Sequence, residues 1–238
     1  MNFFQWDRQK VLVKSQDYQN PMGAFNHLNK MEIYHYLVIS AFIICFFACF
    51  IQLIHALNRK GDFDFSEPKG TTGSAISYSF TKAISPKKKE TAFLHLPTYT
   101  AGILFHLGTF LCFFLLIIHL TGFNFSEKIN YGIAIFLAVS AISIFSIYIK
   151  RLVNPKSRGM SNADDYFSNV LVMGFQVVSG LALLTENMIP ALFIYASILF
   201  IYIPLGKLKH TVYFFAARIQ LGRFYGFRGV WPPKNSNL

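Results

Sequence analysis

The stretch GILFHLGTFLCFFLLIIHL, residues 102–120, carries two histidines and no charged residue. An imidazole can move protons, donate or accept hydrogen bonds and ligate metals. Inside hydrocarbon it costs free energy unless something binds or pairs with it. His106 and His119 are thirteen residues apart. That is about 20 Å along a helix and about 220° around it, so the two rings face nearly opposite sides and cannot serve one centre. For His106 the sequence offers a partner in His210, because Gly102-Ile-Leu-Phe-His106 and Gly206-Lys-Leu-Lys-His210 share a spacing. In a helix, a glycine four residues before a histidine lies on the same face, one turn away. The missing side chain leaves room for a flat porphyrin, and two such helices could clamp a heme iron between their imidazoles. Lys207, Lys209 and Arg218 would then meet the propionates. The spacing equally allows a plainer reading, in which Gly102 and Gly206 are small-residue helix contacts and His210 is interfacial.

His35 and His119 fall near the other end of their spans. They are candidates for a second heme or a quinone hydrogen bond, or are headgroup-boundary residues. His27 and His55 read as interfacial and exposed. Cys45, Cys49 and Cys112 show no cluster-binding spacing, so no iron–sulfur centre or structural zinc is expected. Cys45 and Cys49 share a helix face and read as packing residues. There is no phosphate-binding glycine loop and no carboxylate within a span to orient a histidine. Demanding chemistry must therefore come from a cofactor or a partner.

The elements that position these residues follow from composition. Of 238 residues, 53% are hydrophobic and 14% charged, too apolar for a soluble domain of this size. Segments 33–57, 99–121, 129–149, 166–185 and 189–206 each approach the roughly 20 apolar residues that a bilayer span needs, and none contains Asp, Glu, Lys or Arg. The first begins too late, and lacks a small-residue cleavage site, to be a signal peptide. The expectation is an all-α bundle of five transmembrane helices. It divides into an extracytoplasmic segment 1–32, a membrane domain 33–206 that includes a loop 58–98, and a basic tail 207–238. Lys and Arg number 17 in 58–98, 150–165 and beyond 206, against five elsewhere. The positive-inside bias then puts the N-terminus outside and the C-terminus in the cytoplasm. The net charge of +11 on that face suits anionic lipid or an acidic docking partner; nucleic acid is not expected. In the fourth span, Gln176 and Asn169 suggest interhelical hydrogen bonds, or the lining of a quinone pocket.

Two motifs carry a resemblance. YIPLGKLKHTVYFFAARIQLGRFYGFRGVWPP, residues 202–233, resembles the C-terminal end of the cytochrome b subunits of the respiratory nitrate reductase gamma family. In those proteins an aromatic/Ile-Pro-small-Lys/Arg-Leu-x-His run closes the fifth helix and supplies a heme ligand. YSFTKAISPKKKETAFLHLPTYTAGILFHLGTF, residues 78–110, is similar to relatives found with heterodisulfide reductase and with sulfite-reduction membrane complexes. The resemblance implies a heme b held by His106 and His210 at the cytoplasmic side. It also implies a quinone or propionate contact at His95, and an iron–sulfur partner subunit among further membrane-complex subunits. The nitrate reductase branch holds a second heme through positions occupied here by Leu116 and Leu192, so one heme is expected, with His35 and His119 as the remaining route to two. The implied function is electron transfer between membrane quinone and the partner's iron–sulfur centres, as a subunit of an oxidoreductase complex in the cell membrane. A transporter would need a polar or broken-helix path at mid-bilayer, which the charge-free spans do not offer. A heme-free structural anchor is the other rival.

Overall fold

The computed structural model describes residues 32–59, 65–85 and 96–233. The long helices are α1 (Ile33–Leu57), α3 (Leu96–Thr121), α4 (Glu127–Val153), α6 (Ala163–Leu184) and α7 (Ile189–Leu205). Shorter ones are α2 (Thr72–Phe80), α5 (Pro155–Gly159) and α8 (His210–Phe227). No strand is present among the described residues. Among the described residues five helices are long and apolar enough to cross a membrane, as in a multi-pass membrane protein. Their outward faces agree: Phe42, Phe46, Phe50, Phe110, Phe114, Ile135 and Ile198 are all exposed, a surface that suits hydrocarbon rather than water.

Helix boundaries follow local chemistry. Asn154 accepts from the Lys156 amide at 3.0 Å and Pro155 sits in the first turn, where its missing N–H is no loss. At the start of α6, Asn162 and Asp165 form a reciprocal capping box, Asp165 N to Asn162 Oδ1 2.9 Å and Asn162 N to Asp165 Oδ2 3.0 Å. It satisfies two backbone donors that a helix start leaves orphaned. A one-turn connection, Glu186–Met188, joins α6 to α7 and has Pro190 just after it.

Helix α6 is the centre of the bundle, packing against α4, α7 and α3, while α1 lies outside on α7 and α8. The core is built from Val38, Cys45, Cys112, Leu115, Leu137, Phe175, Leu192, Phe193 and Leu199. Ser140 Oγ donates to the Leu104 carbonyl at 2.9 Å. Gln176 Nε2 donates to the Phe105 carbonyl at 2.9 Å and to Thr109 Oγ1 at 3.0 Å. The interhelical role expected for Gln176 is therefore present, although its Oε1 and the Asn169 Nδ2 are buried without a partner.

The described parts of the 58–98 and 207–238 segments pack on each other. Helix α8 packs along α2, because glycines let the backbones meet. A Cβ on Gly222 would lie 2.5 Å from the Ile76 Cα, and one on Gly226 would lie 2.6 Å from the Ala75 Cβ. The Lys69 amide donates to the Phe227 carbonyl at 2.8 Å, and Ser79 Oγ donates to the Arg218 carbonyl at 2.8 Å. Gly229, with φ +68°, turns the chain where other residues are strained. Trp231 then packs tilted against Tyr225 and edge-to-face against Tyr78.

Candidate functional site

The face that His106 presents is set by its neighbours on α3. Gly108 is buried, and a Cβ there would overlap Ser140 and approach the Gln176 amide. Residue 108 therefore faces α4 and α6, and a residue two positions earlier points about 200° away from it. His106 is accordingly exposed on the opposite face, beside Phe105 and Phe110. Gly102 shares that face, and nothing lies within 4 Å of where its Cβ would be. An exposed imidazole on a bilayer-spanning helix needs a polar or coordinating partner from outside its own helix.

His210 reaches the same end by another route. Helix α7 stops at Leu205, Gly206 is extended (φ −91°, ψ −165°), a single 3-10 turn covers Lys207–Lys209, and His210 is the first residue of α8. Its Nδ1 lies 2.9 Å from the Lys207 carbonyl, which fixes the proton on Nδ1 and leaves Nε2 as the free lone pair. The two histidines stand at the same end of the bundle, since Lys150 Nζ bonds Thr98 Oγ1 at 2.9 Å near the start of α3 while Arg151 and Lys207 share Asp165.

The turn that carries His210 is anchored from below. Asp165, 4% exposed, pairs with Lys207 Nζ and, at 3.3 Å, with Arg151. Tyr202 donates to the neighbouring Asp164 carboxylate. Three helix ends, those of α4, α6 and α7, are thus tied together directly beneath His210. Asp165 and Tyr202 escaped the reading of the sequence. Nothing local in the sequence announces an ion pair with a residue 42 positions away.

Two details differ from expectation. Gly206 does not lie on a helix face one turn from His210. The chain bends there, and a Cβ would overlap the Tyr202 ring, so Gly206 admits that ring rather than a porphyrin. Lys207 is neutralised by Asp165, which leaves Lys209 and Arg218 as the basic groups near His210 that form no ion pair among the described residues. With those changes the donor set would still suit a heme. It offers two exposed imidazoles at one end of the bundle, one with its second nitrogen already bonded, and open space over Gly102.

The other candidates are placed differently. His35 Nδ1 accepts from the Glu32 amide at 3.2 Å, and its ring packs against Tyr34 and Phe193. His119 is half-buried, and its Nε2 is enclosed without a hydrogen bond. Adjacency in sequence does not bring this pair together through packing, since α1 lies on α7 and α8 while α3 lies on α4 and α6. Leu116 and Leu192 are core residues, 3% and 0% exposed. Cys45 and Cys49 pack with sulfurs 4.0 Å apart. His55 is exposed in the last turn of α1. His95, His27, the 1–31 segment and the basic run 86–90 lie outside the described residues. Among the described residues no group of three or more His, Cys, Asp and Glu is placed to hold a metal ion, and a pair of axial histidines would not form such a group. Compared with family models, curated proteins and solved structures, the chain matches none.

Proposed function

We propose that this chain is a heme b-binding membrane subunit of a respiratory oxidoreductase. It passes electrons between membrane quinone and the iron–sulfur centres of a partner on the cytoplasmic side. The observation that carries this reading is the convergence of His106 and His210, from helices distant in sequence, at one charged end of the bundle. The two quoted motifs supply the family resemblance. Heme, when bound, would supply reversible one-electron chemistry.

The chain's own residues account for the rest. His106 and His210 would hold the heme iron. Ser140 and Gln176 pin α3 by its opposite face, so the helix cannot roll and carry His106 inward. Asp165 holds Lys207, whose carbonyl fixes the His210 tautomer. Lys209 and Arg218 offer positive charge for propionates. The positive-inside bias puts this end in the cytoplasm, where the packed α2–α8 unit offers a basic docking face for the partner.

A reduced-minus-oxidised absorption spectrum of the purified chain tests the reading. A b-type signal that disappears in both His106→Ala and His210→Ala is expected. A protein that takes up no heme, or that keeps an unchanged signal in both variants, overturns it.

A further inference from the structure

Away from the histidine pair, a groove of about 1180 Å³ runs between the last turns of α1 and the outer face of α8. Its walls are fixed by side chains. Gln52 Nε2 donates to the Pro204 carbonyl at 2.8 Å and Gln220 Nε2 to the Ala56 carbonyl at 2.7 Å, which ties α1 to α7 and to α8. Ile51, Tyr213, Ala216, Ala217 and Phe224 make the floor and one rim apolar, while Arg59 and Arg223 stand on the lining with His55. Neither arginine forms an ion pair, and no carboxylate lines the groove among the described residues. Two guanidiniums without an acidic partner among the described residues, above an apolar trough, call for an amphiphile with an anionic head, since arginine binds phosphate in a fixed fork. The volume exceeds the roughly 300–1,000 Å³ of pockets that enclose a compact small molecule. The groove also lies where a bilayer-spanning helix leaves the hydrocarbon, at the depth of lipid headgroups.

We propose that this groove is a binding site for one anionic phospholipid, its phosphate held between Arg59 and Arg223 and an acyl chain laid along Ile51, Ala217 and Phe224. The proposal rests on the membrane-spanning helices and not on the heme reading, and either can fail alone. The test is native mass spectrometry of the detergent-solubilised full chain titrated with phosphatidylglycerol or phosphatidylcholine. One phosphatidylglycerol should be retained in preference to phosphatidylcholine. Arg59→Gln and Arg223→Gln should each weaken retention about 5-fold and the double variant about 20-fold or more, at about 1 kcal/mol per basic residue. Ala217→Phe, which fills the trough and keeps both charges, should also weaken it, while helicity stays unchanged in every variant. Equal retention of the two lipids overturns the proposal. So does phosphatidylglycerol binding that survives the double arginine variant or Ala217→Phe, displacement by millimolar inorganic phosphate, or a quinone found in the lipid's place.

Discussion

The two ends of the bundle use the same residue type in opposite ways. At the end where α3 begins and α8 starts, His106 and His210 are exposed. The elements beneath them are cross-braced by Ser140, Gln176, Asp165 and Lys207, none of which occupies the outward nitrogens. At the other end, His35 spends its Nδ1 on the first turn of its own helix, and His119 has its Nε2 shut into the protein. The first end thus presents two exposed imidazoles, whereas the second packs one ring against Phe193 and half-buries the other.

The most severe way to break this contrast is to remove the histidines one at a time. His106→Ala and His210→Ala should each abolish heme absorbance, while His35→Ala and His119→Ala should leave it intact. A pyridine-hemochrome assay should then return one heme per chain; two hemes, with one lost in His119→Ala, would erase the difference between the ends.

Glycines give the next largest effect. Gly222→Val inserts bulk where even a Cβ would stand 2.5 Å from the Ile76 backbone, so α2 must separate from α8. The expected loss is about 1–3 kcal/mol, read as faster proteolysis of the 58–98 connection. Gly102→Leu meets open space and should leave thermal stability unchanged while weakening heme retention. Equal stability losses in the two variants would count against the assigned roles.

Asp165→Asn should cost about 1–3 kcal/mol in thermal stability. Breaking a buried pair is expensive, but Lys207 and Arg151, at 49% and 31% exposed, remain partly solvated. Any bound heme should shift its potential or spectrum as the His210 turn loosens; a stability loss with an unaltered heme would confine Asp165 to a structural role. The smallest effect is expected for Gln176→Leu, about 0.6 kcal/mol for interhelical hydrogen bonds in a membrane protein. A loss several times larger in an unfolding assay would mean that Gln176 does more than pin α3.

Much of the scaffold was legible before any coordinates. The charge-free runs foretold the five long helices to within a few residues, because a bilayer span must satisfy its backbone internally and so needs one uninterrupted apolar segment. The opposed faces of His106 and His119 followed from helical period alone. Gln176 was legible as a bonding residue, since a buried amide seeks a partner, but Phe105 and Thr109 were not, since they lie 71 and 67 residues away. The Gly206–His210 spacing misled, because equal sequence spacing means equal geometry only when the helix is continuous. Pro204 and Gly206 end α7 just before the histidine.

The sequence by itself determined the number and length of the spanning helices, the charged end of the bundle and the side of α3 on which each histidine stands. These depend on local period and transfer free energy. Tertiary structure decided which helices touch. It made α6 rather than α3 the centre, set α8 on α2 through glycine contacts, and put Asp165 under the His210 turn. It also opened a groove between Arg59 and Arg223. Such pairings depend on the complementary shapes of surfaces far apart in the chain, and no local window of residues contains both halves.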